Sequence, residues 1–385
     1  MTEQNVVLRY MAHQIYQKRP VMPTRFRTNY RIERVNGGLL CDLWFLTGGC
    51  VHDARGGCSM CNYGKSPGNQ DWKQILQELD EIVKKLPWEF EDFLLTPSGS
   101  MLDEREVPKE MCEGLAEMLK KVRTKRFIIE TRADSITDEG LEFMRTIMPE
   151  TDKYIEIGVE SSNDWILKNC VNKGTVFETF REAVEQIHQK GIYVTANVGL
   201  GQPFLSERAS VEDAVCTIKD VFEVGCDSVV LFPYHIKEGT LLSSMYEQGM
   251  YDCVSLWSLI TVLDSFSERE LDKIHISWYK DYFGQERSFI LKSPDTCRNC
   301  RTYVMRKLDC YRDLQDPEII RTLSRKKCVC KDVWRQKLDE QCSYPEWNRV
   351  EQMYRKLSAS FQIEKTLIEK QLETMEQEYK EKVLR

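Results

Sequence analysis

Short apolar runs alternate with amphipathic segments between residues 39 and about 270 of this chain. The apolar runs are rich in β-branched and aromatic residues, which predicts strands, and the segments between them repeat apolar positions at helical spacing. The predicted strands are Leu39–Leu46, Phe93–Thr96, Phe127–Thr131, Tyr154–Val159, Tyr193–Leu200 and Ser228–Pro233. The predicted helices are Asp71–Leu86, Val107–Val122, Asp138–Ile147, Val176–Gln189 and Glu207–Val224.

Repeated strand–helix units predict an α/β fold with a parallel sheet and right-handed crossovers. Six units favour a partial (β/α)6 TIM-like barrel, although a doubly wound sheet fits the pattern almost as well. Polar residues and glycines follow the predicted strands, as at Ser98–Ser100, Glu130 and Glu160. Because a barrel carries its active site at the C-terminal ends of its strands, we expect these residues to surround one site.

The pattern changes on both sides of this core. We predict a basic N-terminal extension over 1–38, with five arginines between positions 19 and 34, and a core barrel over 39–285. A cysteine-rich, mainly helical segment follows over 286–345. Residues 346–385 are charged and contain neither glycine nor proline, which predicts one C-terminal helix. An approximate heptad seam from Tyr354 to Tyr379 favours packing of this helix on its own domain over a coiled-coil dimer.

Composition narrows the compartment and the partners. The 385 residues carry a formal net charge of −7 and include fifteen cysteines. A run of about 20 apolar residues, which a membrane span needs, is not found. We therefore expect a cytoplasmic protein without a membrane partner, in which clustered cysteines bind metal rather than form disulfides. The acidic balance disfavours binding of polyanions by bulk charge, while the arginines of the first segment allow a local basic patch.

Three cysteines directly after the first predicted strand carry the strongest chemical signal. Cys50, Cys58 and Cys61 follow the spacing Cys-x7-Cys-x2-Cys in a glycine-rich loop. Three thiolates suit a [4Fe–4S] cluster whose fourth iron stays open to a small molecule. The alternatives are a zinc site that takes His52 as its fourth ligand, or three buried thiols without metal.

A second group of cysteines lies beyond the barrel. Cys297 and Cys300 form a Cys-x2-Cys pair, and Cys328 and Cys330 form a Cys-x-Cys pair. Four soft ligands suit either a structural zinc ion or an auxiliary iron–sulfur cluster, and we favour zinc because four ligands fill its shell. A thiol-rich cap without metal is the alternative.

Together these motifs resemble the radical S-adenosylmethionine (SAM) superfamily, and the wide cysteine spacing resembles its elongator-complex and methylthiotransferase branch. More particularly, the chain is similar to the radical-SAM subunit of archaeosine synthase and its uncharacterised relatives. The matching segments lie between about residues 40 and 335. They are Leu46-Thr-Gly-Gly-Cys50, Gly57-Cys-Ser-Met-Cys-Asn-Tyr-Gly64, Pro97-Ser-Gly-Ser-Met-Leu-Asp103, Glu130-Thr-Arg132, Ile157-Gly-Val-Glu-Ser161, Val171-Asn-Lys-Gly174, Gly201-Gln-Pro-Phe204 and the cysteine pairs up to Trp334.

The resemblance implies an enzyme whose reduced [4Fe–4S] cluster cleaves SAM to a 5′-deoxyadenosyl radical, which then abstracts a substrate hydrogen. It implies that Arg132 binds the SAM carboxylate while Glu130 orients it, and that Glu160 contacts the ribose or the amino group. Lys173, Gln202, Tyr234, His235 and Lys237 are weaker candidates for contacts with substrate. The residues expected to hold SAM are Met60, Ser98, Gly99, Ser100, Glu130, Arg132, Glu160, Asn197 and Gly199. For Glu130, Arg132 and Glu160 the alternative is a salt bridge across the barrel mouth.

The substrate stays open at this point. One reading is carbon–nitrogen or carbon–carbon bond chemistry on a modified nucleoside or tRNA, and another is a small molecule or peptide in a biosynthetic pathway. A non-enzymatic iron–sulfur redox sensor is the reading from a different class. The resemblance also implies an electron donor such as flavodoxin or ferredoxin, and it allows a partner subunit.

Overall fold

A computed structural model describes residues 4–21, 27–35, 37–64, 71–87, 89–281 and 289–383. Arg25 of the basic extension and the predicted boundary between residues 285 and 286 lie outside these ranges. Within them, an eight-stranded sheet curls into a partial barrel, which confirms the predicted fold class.

The sheet runs in the order β1-β2-β3-β4-β5-β6-β7-β9, and every neighbouring pair is parallel except β1 with β2. A separate two-stranded ribbon joins β8 to β10. The strands are β1 (Thr28–Val35), β2 (Gly38–Phe45), β3 (Glu89–Pro97), β4 (Arg123–Thr131), β5 (Asp152–Glu160), β6 (Tyr193–Leu200), β7 (Ser228–Pro233), β8 (Ile236–Lys237), β9 (Ile274–Ile276) and β10 (Ile290–Lys292).

Amphipathic helices connect the parallel strands and cover the outside of the sheet. Single helical turns also occur at Asp53–Arg55, Ala133–Ser135, Asp164–Ile166, Leu167–Val171 and Glu268–Leu271. The longer helices are α1 (Val6–Lys18), α2 (Trp72–Val83), α3 (Lys109–Leu119), α4 (Asp138–Thr146), α5 (Phe177–Gln189), α6 (Glu207–Val224), α7 (Leu241–Glu247), α8 (Leu256–Asp264), α9 (Arg298–Leu314), α10 (Pro317–Arg325), α11 (Val329–Cys342), α12 (Glu346–Ser360) and α13 (Lys365–Val383).

The six predicted strands are β2 to β7, and two more strands extend the sheet at its edges. β1 comes from the basic extension, where exposed polar residues alternate with partly buried ones and hide the strand pattern. β9 has three residues, which is too short for a periodic signal. The predicted helix Val107–Val122 is shorter in the structure because Pro108 precedes its first turn and the chain leaves the helix at Lys120.

The prediction of one C-terminal helix from residue 346 is wrong, because the structure has two helices, α12 and α13. The chain turns at Gln362, which has a φ of +55°. The Ile363 N–H donates to the Ser358 carbonyl and the Gln362 N–H to the Ala359 carbonyl, which is the Schellman arrangement that ends helices. Such turns commonly use glycine, so the sequence carries no recognisable stop here.

Two apolar clusters stabilise the described chain. The larger one lies between the sheet and its helices and includes Tyr311 and Trp334 from the cysteine-rich segment. The smaller one joins α1 to the C-terminal helices, with Leu8, Tyr354 and Met375 among its buried members. Both terminal segments therefore pack on the barrel. No helix in the described residues is both long enough and apolar enough to cross a membrane.

Candidate active site

One cavity of about 460 Å³ lies inside the barrel and reaches the C-terminal ends of the strands. Cys50, Cys58 and Cys61 all line it, and so does Met60. Each comes from the single loop that follows β2. The fold therefore brings the three predicted cluster ligands to one wall of an internal cavity.

Hydrogen bonds from neighbouring loops fix the loop after β2. The Thr47 N–H donates to Ser98 Oγ at 2.8 Å, and the Val51 N–H donates to Glu106 Oε1 at 2.9 Å. Further along, the Gly64 N–H donates to Asp53 at 2.7 Å, and Arg19 forms a buried ion pair with the same carboxylate. The cysteine loop is therefore held in place by the loop after β3, by its own turn and by the end of the N-terminal helix.

The loop after β5 holds the middle of the same segment. Asn172 donates through Nδ2 to the carbonyls of Gly56 and Gly57 at 2.6 and 2.7 Å. His52 Nε2 lies 2.8 Å from the Asn172 carbonyl oxygen. Because that oxygen can only accept, His52 Nε2 donates there, and Nδ1 is the ring nitrogen left to bind a metal. The contact fixes the orientation of the His52 ring, and the choice between zinc and a cluster rests on the donor set.

The donor set fits an iron–sulfur cluster. Burial raises the pKa of the Cys50 thiol to about 11, and burial also raises the pKa values of Cys58 and Cys61. Three thiols in this surrounding become thiolates only when a positive group compensates their charge, which a metal centre does. Because the chain offers three ligands here, one iron of a [4Fe–4S] cluster would be open.

Arg132 lies at the edge of this loop, within a group of carboxylates. Its guanidinium donates to Asp103 Oδ2 at 2.6 Å, to Glu106 Oε1 at 2.5 Å and to Asp134 Oδ1 at 3.0 Å. Its Nη1 also lies 3.6 Å from Cys50 Sγ. The salt-bridge alternative therefore describes the contacts that Arg132 makes in this structure.

The expectation that Glu130 orients Arg132 is wrong. Glu130 accepts a hydrogen bond from Thr96 Oγ1 inside the barrel. Arg132 follows the end of β4, where the chain turns into the Ala133–Ser135 helical turn, so its side chain reaches toward the cysteine loop instead. The two residues act in different parts of the site.

The loop after β3 packs tightly against the cysteine loop. A Cβ on Gly99 would lie 2.0 Å from Glu106 Oε2, so only glycine leaves room for that carboxylate. The hydroxyl groups of Ser98 and Ser100 bind Thr47 and Thr131 within the protein. Gly99 lines the cavity, whereas neither serine is among the described residues that do so. Contacts of this loop with a ligand would therefore come from Gly99 and the backbone.

Glu160 ends β5 in a left-handed conformation, with a φ of +65°. Its carboxylate lies 3.0 Å from Lys173 Nζ and accepts a hydrogen bond from the Tyr234 hydroxyl at 2.8 Å. A Cβ on Gly199 would lie 2.2 Å from that hydroxyl, so Gly199 makes room for Tyr234. Non-glycine residues with positive φ persist only where the surroundings fix them, and they cluster at functional sites.

Two carboxyl groups lie side by side inside the barrel. Glu130 on β4 and Glu156 on β5 are register partners in the parallel ladder, and both line the cavity. Burial raises the pKa of Glu130, and burial together with the Glu130 carboxylate raises that of Glu156. Asn197 donates through Nδ2 to Glu156 at 3.4 Å, while its buried Oδ1 has no hydrogen-bond partner.

The weaker candidates divide into cavity residues and residues satisfied elsewhere. Lys173 and Tyr234 line the cavity as partners of Glu160, and Lys237 lies over the rings of Tyr63 and Trp278. Gln202 is buried and bonded to Asp213 and Ser210. His235 belongs to both groups, because it lines the cavity and also bonds Ser293 and the Trp278 carbonyl; burial lowers its pKa to about 4.

Sequence reasoning missed four residues that shape the site: Asp53, Asp103, Glu106 and Glu156. Glu156 had a usable signal, because it is a charged residue at an inward-facing position of an otherwise apolar strand. The other three lie in loops, where a carboxylate is ordinary. Their importance arises from arginines that are distant in sequence, and single-sequence periodicity does not report such pairs.

The second thiol group is compact. Cys297, Cys300, Cys328 and Cys330 place their sulfurs within 4.8 Å of one another. The measured separations between neighbouring sulfurs are 3.3 to 3.8 Å, and all four thiols are free. Cys297 and Cys328 each precede the first turn of a helix, α9 and α11. The segment therefore presents four sulfurs to one point, as a bound metal ion requires.

Comparisons with known proteins agree with this geometry. The family model of the radical SAM superfamily matches residues 44–233, from β2 to the end of β7. Archaeosine synthase subunit beta from Methanosarcina acetivorans is 29% identical over 303 residues, which cover 77% of this chain and 84% of that protein. The protein of the same name from Thermococcus kodakarensis is 30% identical over 211 residues, covering 54% of this chain and 65% of that protein.

Among solved structures, archaeal Methanocaldococcus infernus Elp3 with an N-terminal deletion has a TM-score of 0.46 and 20% sequence identity. The alignment covers 62% of this chain and 59% of that one.

Proposed function

Because this chain belongs to the radical SAM superfamily and is a radical SAM enzyme, we propose that Cys50, Cys58 and Cys61 hold a [4Fe–4S] cluster. When bound and reduced, that cluster supplies the electron that splits SAM into methionine and a 5′-deoxyadenosyl radical, which takes a hydrogen atom from the substrate. The observation that carries the proposal is that all three thiols face one internal cavity beside buried polar residues.

The protein's own residues would bind and orient SAM. Glu160 is held by Lys173 and Tyr234 and faces the cavity, so it can accept hydrogen bonds from the ribose or the amino group. Arg132 has its guanidinium near Cys50, where a SAM carboxylate could share it with Asp103 and Glu106. The remaining SAM contacts that we propose are Met60, the Ser98–Ser100 backbone, Asn197 and Gly199.

For the substrate, we propose a modified nucleoside, free or in tRNA, on which the radical initiates carbon–nitrogen or carbon–carbon bond chemistry. The relatives named archaeosine synthase subunit beta support this choice, and the word subunit in that name supports a partner protein. The alternative is a small molecule or peptide, which the net charge of −7 favours because it opposes binding of RNA by bulk charge. An iron–sulfur redox sensor would need no SAM pocket, and we do not propose it.

The electron donor and the cellular compartment that we propose follow from the chemistry of the cluster and the cysteines. A cluster that must be reduced needs an electron donor, and we propose a flavodoxin or ferredoxin. The fifteen free cysteines support a reducing compartment, for which we propose the cytoplasm.

We propose that the second thiol group binds zinc. A tetrahedral ion with Zn–S bonds of about 2.3 Å separates its sulfurs by about 3.8 Å. The observed separations of 3.3 to 3.8 Å are close to this value. A four-iron cube occupies more space and holds its thiolates farther apart, so the compact arrangement favours a single ion over an auxiliary cluster.

The test of the main proposal is SAM cleavage by the anaerobically reconstituted protein, measured as 5′-deoxyadenosine after addition of dithionite. We expect the variant with Cys50, Cys58 and Cys61 all changed to alanine to stay folded and to form none. The matched control changes Cys112, Cys216 and Cys310 to alanine, which leaves both thiol groups intact. Cleavage that persists in the first variant, or is lost equally in the control, would overturn the assignment.

A further inference from the structure

Two neighbouring carboxyl groups inside the barrel have no role in the site described so far. Glu130 and Glu156 are Cα partners on adjacent parallel strands, so their side chains project from the same face of the sheet. Both line the cavity that the three cysteines also line. A ligand in this cavity would therefore meet the two carboxyl groups side by side.

The other cavity carboxylates have cationic partners. Arg31 pairs with Asp42 at 3.2 Å, and Lys173 pairs with Glu160 at 3.0 Å. Asp92 pairs with Arg126. Across the described residues, neither Glu130 nor Glu156 has a cation within 4.0 Å. The two carboxyl groups are thus the part of the cavity wall to which the described residues give no cationic partner by direct contact.

Lys237 is the nearest candidate for compensation, but it is engaged elsewhere. Its ammonium group lies 4.8 Å from the centre of the Tyr63 ring and 4.4 Å from that of Trp278. Its charge acts through space on Glu130 as well as on Cys61 and Glu160. When Cys61 binds a cluster as a thiolate, Lys237 belongs to that end of the cavity.

Hydrogen-bond acceptors also outnumber donors at this wall. Glu130 accepts from Thr96 Oγ1, and Glu156 accepts from Asn197 Nδ2 at 3.4 Å, although each carboxylate can accept several bonds. Asn197 Oδ1 is buried without a partner. The reverse amide orientation would turn that oxygen against Glu156, so the amide nitrogen faces the carboxylate. The wall lacks donors, and a ligand can supply them.

We infer that Glu130 and Glu156 bind a cationic, N–H-rich group of the substrate, such as a primary amine, an amidine or a guanidinium. This inference rests on the proposed function, because it assigns the substrate of that same cavity. Planar N–H donors match carboxylates in pairs, and charge-assisted bonds of this kind are the strong ones. The faces of Trp44 and Phe232, which also line the cavity, suit a cation as well. An anionic group at this position would be repelled.

Three isosteric probes separate charge from shape: benzamidine is cationic, benzamide is neutral and benzoate is anionic. Their affinities are measured by calorimetry on the reconstituted full chain with S-adenosylhomocysteine bound, so that the SAM position is filled. We expect benzamidine to bind at least about ten-fold more tightly than benzamide, because each charged hydrogen bond contributes that much. We expect no measurable binding of benzoate.

The variants Glu130→Gln and Glu156→Gln keep side-chain shape and remove the charge. Each should reduce the preference for benzamidine about ten-fold, and the double variant should abolish it. The matched control is Glu223→Gln, an exposed glutamate on α6, which should leave the preference unchanged. Affinity for S-adenosylhomocysteine should stay within about two-fold in all of them, since none of the exchanged glutamates is a SAM contact that we propose.

Equal binding of benzoate, or an unchanged preference in the double variant, would overturn the inference. A loss of S-adenosylhomocysteine affinity without a change in the preference would place the pair in the SAM site and overturn it too. Absence of 5′-deoxyadenosine with the preference intact would instead refute only the proposed function. Displacement of benzamidine by unfractionated tRNA alone supports a cation carried on intact RNA, and displacement by its nucleoside digest supports a free nucleoside or small molecule.

Discussion

At the residue scale, Glu160 combines backbone strain with a buried charge. Its left-handed backbone costs a non-glycine residue roughly 1–2 kcal/mol, and its carboxylate is satisfied by Lys173 and Tyr234. The positive φ coincides with the irregular register between β5 and β6, which turns the side chain into the cavity. Stability alone does not require glutamate at this position, so a ligand contact explains it better.

Glu160→Gln tests this interpretation because glutamine keeps the shape and can still accept a hydrogen bond from Tyr234. We expect SAM affinity to fall roughly 10–150-fold, since loss of a charged hydrogen bond costs about 1.5–3 kcal/mol. Anaerobic equilibrium dialysis of the reconstituted protein measures it. The control is Glu207→Gln, a buried glutamate paired with Lys337 outside the cavity, for which SAM affinity should not change. If Glu160→Gln leaves SAM affinity unchanged, Glu160 serves only as the ion-pair partner of Lys173 and does not bind SAM.

At the scale of elements, the N-terminal helix α1 supports the cysteine loop. Arg19, at the end of α1, pairs with Asp53 and donates to the carbonyls of Cys61 and Gly239 at 3.1 and 2.7 Å. The side chains of Arg19 and Asp53 are 6% and 5% exposed. A buried pair of this kind is sensitive to loss of one partner, because the remaining charge is left uncompensated.

We therefore predict that Arg19→Met lowers the free energy of unfolding by about 3–5 kcal/mol and reduces the iron retained after desalting. Adding Asp53→Asn to Arg19→Met should restore part of the free energy of unfolding and part of the iron retention. The amide oxygen can still accept from the Gly64 N–H, and the buried negative charge is gone. Urea unfolding and iron analysis measure the two effects. Arg208→Met, at a half-buried arginine of α6 that pairs with Glu212, serves as control. Full iron retention in Arg19→Met would show that α1 does not hold the loop.

The sequence could predict the elements whose signal is local. The strands β2 to β7 were predictable because each contains a short, mainly apolar run, and the cysteine loop because its three cysteines have the spacing of cluster ligands. β1 was not, since polar residues interrupt it and it is an edge strand of the described sheet that pairs only with β2. The contacts of Arg132 with Asp103 and Glu106 could not be predicted from the sequence either, because they depend on how two loops meet at the barrel mouth. Local pattern specifies elements, whereas tertiary contacts decide which polar groups meet.

At the scale of the whole molecule, the cysteine-rich segment is fastened to the barrel by packing and by polar contacts. The Tyr311 hydroxyl donates to the carbonyls of Leu271 and Ile274 next to β9. Trp334 Nε1 donates to Ser258 Oγ at 3.0 Å on α8, and Trp257 Nε1 donates to Cys330 Sγ at 3.2 Å. The four thiols lie at the starts of α9 and α11, and Trp257 of α8 contacts one of them. A metal ion bound there would link α9 to α11 and, through Trp257, both helices to α8.

We predict that Cys297→Ser combined with Cys328→Ser lowers thermal stability and solubility before it alters SAM affinity. Where the unfolded chain holds no preformed site, the free energy of metal binding becomes free energy of folding. The thiol group is not among the residues that line the barrel cavity, so a direct effect on SAM is not expected. Thermal unfolding and SAM binding, measured on the same preparations, separate the two effects. The control is Cys310→Ser with Cys342→Ser, which removes two exposed thiols.

Metal analysis of the variant that lacks Cys50, Cys58 and Cys61 then identifies the ion, because that variant removes the barrel cluster from the count. We expect about one zinc per chain and almost no iron, since the 3.3 to 3.8 Å sulfur separations suit a single tetrahedral ion. About four irons with matching sulfide would instead show an auxiliary cluster and assign the segment to electron transfer. Neither metal, with stability unchanged in the double serine variant, would show that packing alone holds these helices on the barrel.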